Sequence, residues 1–332
     1  MLMLWSILAL AATTDELASW ARSLDRPEPG EASRAAGYRF TGPVFEDLAR
    51  RAEDRPGVVE VERIGSTTSG HPIWAFHVQE PGVEVEDSAL VFAGIHALEW
   101  ISVEVATDLL VELIDHPVRG QRVTVIPMLN PDGRLKSEVD LLADDNVYRR
   151  GNGPNVDLNR DFAVHRAVEP VWADILPARY ATSPSSLSQP ESRALDALLS
   201  RESYTRAASL HAFGGYFYAP WSGRWRRPEA WPEHLELGRA MEAAQGEHAY
   251  RTRQLARWGF FFRARGSEVD HLYGEHGITS FLIELTRSGW DPRRPFRSTR
   301  EYFRWYNPVR PQRHVDRALA ALRVLVRRAS IP

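Results

Sequence analysis

The chain has 332 residues, enough for one large α/β domain or two small ones. Lys and Arg total 41 against 44 Asp and Glu; the net charge of −3, with both signs interspersed, excludes a basic nucleic-acid face. There is no Cys, which excludes disulfide scaffolds and thiol catalysis and leaves His, Asp and Glu to hold any metal.

In chain order, residues 1–12 (MLMLWSILALAA) form an apolar run ending in small residues. The run is too short to span a bilayer and has the form of a signal-peptide core, although it lacks a positive start. A buried or unstructured tail is the other reading. The first predicts a secreted or periplasmic protein, the second a cytoplasmic one. Residues 13–36 are polar and bear Pro and Gly, with a short helical patch at Glu16–Ser23. Residues 37–330 show no repeat and no linker and read as one catalytic domain.

Within that domain, Pro43–Glu53 predicts a helix with Pro near its start. Val58–Gly65 and Pro72–Val78 alternate apolar and polar residues around TTSGH, a hairpin pattern. Ala89–Ile95 is a short apolar run, a buried strand; it breaks at His96 and continues as a helical pattern from Glu99 to Leu113. Arg122–Leu129 is the next strand and ends in NPDGR, a turn sequence. Leu135–Asn155 is polar and predicts a long surface loop, of the length that tends to carry function. A helix over Gln189–Ser200, a strand over Arg206–Ala212, a helix over Pro232–Ala244, a buried strand over Ile278–Leu285 and an amphipathic helix over Arg313–Arg328 follow. Alternating strands and helices, with several strands apolar throughout, predict an α/β domain whose mostly parallel sheet is covered on both faces.

Chemistry-bearing residues fall at the strand ends. His96 follows the first central strand, with Glu99 three residues on, where the two side chains can converge. His211 lies at the end of another strand and Glu284 near the end of a third. Ligands of open α/β sheets bind beyond such ends. A catalytic zinc takes three protein ligands and keeps one position open, and His96, Glu99 and His211 supply two imidazoles and a carboxylate.

The motifs GIHALEW, NPDG, VDLNRDF, QPESRAL, SLHAF and FLIEL, in this order, resemble the zinc metallocarboxypeptidases of the carboxypeptidase A/B type, peptidase family M14. The resemblance runs from about Gly37 to Gly289. It implies a single α/β domain with a mixed, roughly eight-stranded sheet, one Zn2+ per chain and hydrolysis of the C-terminal peptide bond of peptides or proteins. By motif, His96, Glu99 and His211 match the metal ligands and Glu284 the general base. Arg149 matches the arginine facing the scissile carbonyl, with Arg150 as an off-by-one alternative. Asn159 and Arg160 match the pair that grips the substrate carboxylate, and Asp157 the carboxylate that orients the first zinc histidine. The residue types suit these roles, since a planar guanidinium fits a carboxylate bidentately and a carboxylate behind a histidine fixes its tautomer.

Departures from the pattern are equally specific. The substrate-covering Tyr of the family falls on Phe262, which can exclude water but cannot donate a hydrogen bond, a loss of about 1 kcal/mol. An upstream arginine of the family is Leu98 here, and no large inhibitory pro-domain is expected. The specificity position falls on Val269, near Leu282, which suits an apolar or aromatic C-terminal residue. Arg257, Arg263 and Arg265 lie just before it; they either favour an acidic residue or face solvent. Glu268 and Asp270 would point away from Val269 if that segment were extended. The substrate is thus a peptide or protein C-terminus, without nucleic acid or an integral membrane segment, and the expected state is a monomer. Rival readings are a same-fold peptidoglycan-peptide carboxypeptidase or amidohydrolase, and a binding protein that keeps the fold without the chemistry.

Overall fold

The computed structural model describes residues 2–28, 35, 37–143, 149–166, 185–258, 263–287 and 302–327, with side chains described from residue 13. Among them the strands are β1 (Val59–Ser66), β2 (Pro72–Val78), β3 (Asp87–Phe92), β4 (Gln121–Ile126), β5 (Arg206–Ala212), β6 (Tyr216–Ala219), β7 (Arg251–Gln254) and β8 (Thr279–Leu285). The helices are α1 (Leu2–Ser23), α2 (Thr41–Asp54), α3 (Trp100–Asp115), α4 (Pro131–Leu142), α5 (Pro190–Arg201), α6 (Trp231–Gln245), α7 (Glu268–Gly274), α8 (Tyr302–Tyr306) and α9 (Gln312–Val326).

The strands form one mixed eight-stranded sheet in the order β1-β2-β4-β3-β5-β8-β6-β7. Its centre, β4, β3, β5 and β8, is parallel. The β1–β2 hairpin adds antiparallel to β4 on one side, and β6 adds antiparallel to β8 on the other, with β7 beyond it. The apolar run of β3 suits burial on both faces. Ala89 and Val91 join a core with Leu17 of α1, Phe45 of α2, Leu109 of α3, Met241 of α6 and Leu322 of α9. Leu90 and Phe92 point the other way, into a core with Leu195 and Leu198 of α5 and Leu272 of α7. The expected single α/β domain with helices on both faces is therefore what the chain forms.

Three segments differ from expectation. Helix α1 runs well beyond the predicted patch, and Leu17 and Ala21 are fully buried in the main core, so residues 13–23 belong to the same folding unit. No helix among the described residues is long and apolar enough to cross a membrane. Leu135–Leu142, predicted as loop, is the body of α4: NPDG is a helix start, in which the Asn130 side chain accepts from the Gly133 N–H at 2.9 Å and Pro131 stands at the first turn. Several polar residues of α4 bond inside the protein. Arg134 lies 3.5 Å from the Trp100 ring centroid and donates to Glu138 at 2.8 Å. Residues 144–148 of that loop lie outside the described residues. The short strands β6 and β7 and the helix α7 had no periodic pattern long enough to mark them, and Glu268 and Asp270 lie in α7 rather than in an extended segment.

The chain between β3 and α3 is fixed by contacts from distant elements. Gly94 N–H donates to the Ser102 hydroxyl at 3.2 Å, and the Ser102 hydroxyl donates to the Glu99 carbonyl at 2.6 Å. Asn130 Nδ2 donates to the Ile95 carbonyl at 3.1 Å. From the far end of the sequence, Asn307 Nδ2 donates to the Leu98 carbonyl at 2.7 Å and its Oδ1 accepts from the Ile101 N–H at 3.0 Å. Gly94 sits at φ +65°, and a Cβ there would lie 3.2 Å from Met128 Cα and Val103 Cγ2. Gly94→Ala should therefore destabilise the fold by about 1–3 kcal/mol, read as a lower denaturant midpoint with unchanged slope; an unchanged midpoint would show that the loop accommodates a side chain.

Candidate active site

The register of the parallel strands brings the predicted residues together. Phe92 of β3 pairs with Ser209 of β5, and His211 of β5 pairs with Glu284 of β8. Neighbours across a parallel ladder point to the same face, so His211 and Glu284 stand side by side where the chain leaving β3 passes. This is the end of the sheet at which strand order reverses, β4 lying to one side of β3 and β5 to the other.

His96 Nδ1 lies 3.1 Å from His211 Nδ1 and 2.9 Å from Glu99 Oε1, and His211 Nδ1 lies 3.1 Å from Glu99 Oε2. Glu99 is the residue just before α3, but its side chain is not used as a helix cap. It turns inward instead, and its Oε2 also accepts from the Ala212 N–H at 3.0 Å. All three side chains are at most 2 % exposed.

The outer nitrogens of both rings are held. His96 Nε2 lies 3.0 Å from Asp157 Oδ1, and His211 Nε2 lies 2.8 Å from Glu268 Oε1 and 2.9 Å from the Ser209 hydroxyl. In the neutral ring, a carboxylate at Nε2 places the proton there and leaves a lone pair on Nδ1. Two lone pairs and a carboxylate then aim at one point, a donor set of nitrogen and oxygen that suits zinc. These three residues form a group that could hold a metal ion. Burial alone would push the His211 imidazolium down; the Glu268 carboxylate, with Glu99 behind it, outweighs burial and holds it up at about 10. Glu99 is shifted the other way: burial opposes its ionisation, but His96 and His211 hold it below the usual carboxylate range.

Glu284 stands apart from this hydrogen-bonded set. Its Oε2 is shielded from solvent and has no hydrogen-bond partner. Burial, and then the charges of Glu99 and Glu268, push its carboxyl up to about 8, against the pull of His211 and Arg150. An unpartnered carboxylate oxygen beside a cluster of ligand atoms is placed to receive a proton.

The two arginines after Asn146 part company. Arg149 donates from Nε and Nη2 to Asp140 of α4 at 2.8 and 3.0 Å, outside the cluster. Arg150 turns inward: its Nε donates to Asp157 Oδ2 at 2.8 Å and its Nη1 lies 3.6 Å from Glu99 Oε1. Arg150, the off-by-one alternative, is thus the one that lies against the ligand cluster, while Arg149 pairs with Asp140. The reason is the Asp157 carboxylate, whose second oxygen is free to fix a guanidinium once the first holds His96. Burial would raise the Asp157 carboxyl, but Arg150 first, then His96 and Arg160, hold it well below the usual range.

Asn159 and Arg160 lie in a short 3-10 turn, Leu158–Arg160, which Asp157 starts by accepting from the Asn159 N–H at 3.0 Å. Both are at most 5 % exposed, and Asn159 Oδ1 accepts from the Glu268 N–H at 3.3 Å. Val269 is fully buried with Tyr218, Leu255 and Leu282 in a small apolar cluster. Phe262 lies outside the described residues. Leu98 is fully buried. Of the three arginines before Val269, Arg257 bonds Gln254 and the Trp225 carbonyl, Arg263 the Ala256 carbonyl, and Arg265 the Arg166 carbonyl.

Sequence reasoning missed Glu268. As the first residue of a seven-residue helix, its side chain turns to His211 rather than following strand alternation. The available signal was Ser267 followed by Glu268 and Asp270, an acidic helix start, in a segment too short to show helical periodicity.

A model of the zinc carboxypeptidase family matches residues 45–303, which include every residue of this site. Carboxypeptidase O of Homo sapiens is 22% identical over 286 residues, covering 76% of this chain and 71% of that protein. Carboxypeptidase B of Astacus astacus is 25% identical over 262 residues, covering 72% and 82%. The fold is shared with bovine thrombin-activatable fibrinolysis inhibitor in complex with tick carboxypeptidase inhibitor, with a TM-score of 0.69 at 18% identity over 88% of this chain and 97% of that one. It is also shared with carboxypeptidase A of Helicoverpa armigera, with a TM-score of 0.64 at 18% identity over 93% and 80%. With a family match across most of its length and the cluster of ligand atoms at the sheet end that its sequence motifs foretell, this chain belongs to the zinc carboxypeptidase family.

Proposed function

We propose that the chain is an exported carboxypeptidase that holds one zinc ion through His96, Glu99 and His211 and hydrolyses the last peptide bond of peptides or proteins. The observation that carries this reading is the unpartnered Glu284 Oε2 beside two imidazole nitrogens 3.1 Å apart. When bound, zinc would polarise the scissile carbonyl and acidify a water toward neutral pH.

The chain's own residues supply the rest. Glu284 takes a proton from the attacking water and delivers it to the departing amine. Arg150, its guanidinium braced by Asp157, faces the carbonyl oxygen as that oxygen gains charge. Asn159 and Arg160 receive the terminal carboxylate, Arg160 through its planar fork. Asp157 and Glu268 hold the two imidazoles in their ligating orientation. By resemblance, Phe262 covers the substrate and excludes water. Export rests on the apolar run at residues 1–12.

The pocket favours an apolar or aromatic C-terminal residue. Val269 presents no charge, and both Glu268 oxygens are engaged, one by His211 and the other by the Ser267 hydroxyl at 3.3 Å. Arg257, Arg263 and Arg265 bond main-chain carbonyls, which favours the apolar over the acidic reading.

A mixed peptide library incubated with zinc-loaded protein should lose C-terminal Phe, Tyr and Leu first. Glu284→Gln should retain zinc and lose about 10²–10⁴-fold in kcat; turnover at the parent rate would refute the assigned base. The parent's kcat/KM should fall on the acid side, because Glu284 must be ionised to accept a proton. That limb should lie below about 8, since the metal charge lowers the carboxyl from its raised value. A rate independent of pH between 5 and 8 would speak against the assignment. Arg150→Ala should lower kcat by about 10²–10³-fold, whereas Arg149→Ala should leave kinetics near the parent's; the reverse outcome would restore Arg149. Glu268→Gln should weaken zinc binding by about 10–100-fold in competition with a chelator, with much of the activity returning at saturating zinc. Unchanged zinc affinity would reduce Glu268 to a packing residue.

A further inference from the structure

A second convergence of ligand atoms lies one helical turn along α7 from Glu268. His271 Nε2 lies 2.8 Å from Asp196 Oδ1, and His276 Nε2 lies 3.1 Å from the same oxygen. The two rings are 5.1 Å apart at 79°, and one ligand atom from each of the three residues falls within 4.8 Å of the other two. They come from three elements: Asp196 from α5, His271 from α7, and His276 from the turn into β8. That turn is fixed by main-chain bonds from Gly277 N–H to the Tyr273 carbonyl and from Ile278 N–H to the Leu272 carbonyl, both 3.0 Å.

Burial grades across the cluster. The side chain of His271 is 2 % exposed, that of His276 12 % and that of Asp196 27 %. The group is closed behind His271 and open past Asp196, as a site that completes its coordination with water requires. Ligand atoms around a tetrahedral zinc with bonds near 2.0–2.1 Å sit about 3.3 Å apart, so the two spacings to Asp196 need open by only a few tenths of an ångström.

We propose that Asp196, His271 and His276 bind a second divalent first-row metal ion of the zinc class, separate from the catalytic one, that ties α5 to the end of α7. Two imidazoles and a carboxylate, with no thiol, select such a metal over calcium or magnesium. This site is the weaker of the two. His271 Nδ1 is buried without an acceptor, unlike the outer nitrogens of His96 and His211. Such a missing partner typically lowers metal affinity by about 10–100-fold. A mild chelator should therefore strip this ion and leave the catalytic one.

The test is metal content and does not depend on peptidase activity. Apoprotein titrated with zinc chloride and passed over a desalting column should carry two zinc ions per chain by emission spectroscopy. His276→Gln and Asp196→Asn should each carry one and keep the parent's peptidase rate. His96→Gln, which removes a catalytic ligand, should also carry one, and adding His276→Gln to it should remove that one. Excess zinc should raise the Tm of the parent more than that of His276→Gln. One zinc per chain in the parent, or two in His276→Gln, overturns the proposal and leaves Asp196 as an acceptor of two imidazole N–H bonds.

Discussion

Four carboxylates, those of Glu99, Asp157, Glu268 and Glu284, crowd round two imidazoles at one end of the sheet. Gathering so much negative charge away from water is costly unless positive charge compensates it. Arg150 supplies part of it beside Asp157, whose carboxyl is held low, while Glu268 and Glu99 hold the His211 imidazolium up. Glu284 receives least compensation, and its carboxyl moves up instead. A divalent cation at the convergence of the ligand atoms would offset this charge, and His96, Glu99 and His211 could hold one. The sheet holds the carboxylates where they would otherwise repel.

The carboxylates are held by main-chain register and by side chains from distant segments. The parallel pairing of β5 and β8 sets His211 opposite Glu284, and the pairing of β3 and β5 sets the height at which the His96 loop must turn. Asp157 joins three functions in one side chain: it starts a 3-10 turn, backs His96 and braces Arg150. Changes at this residue would therefore act on metal affinity and on the charged arginine together, and their effects would not add.

Much of this was legible in the sequence. His96, Glu99, His211 and Glu284 stand at the ends of apolar runs whose composition marks them as buried strands, and strand ends are where such sheets bind ligands. The β1–β2 hairpin and the amphipathic α9 declared themselves by pattern, and α2 by the Pro near its start. What was not legible depended on contacts rather than pattern. Helix α4 looked like loop because several of its polar residues bond distant segments and the Trp100 ring, which composition cannot show. Glu268 sits in a helix of two turns, shorter than any periodic signal. The choice between Arg149 and Arg150 turned on which of two neighbouring side chains meets Asp157 and which meets Asp140. Adjacent residues of one type carry no information on that point.

Asn307 gives the architecture an order in time. It bonds the Leu98 carbonyl and the Ile101 N–H, clasping both flanks of Glu99, although it lies more than 200 positions later in the chain. A polypeptide still emerging from the ribosome can complete β3, β5 and β8 before this clasp exists. The segment bearing Glu99 is then unsecured on one side, and the ligand set is left unlocked until nearly all of the domain has been synthesised. Closure of both flanks of Glu99 thereby waits on a residue near the C-terminal end of the domain.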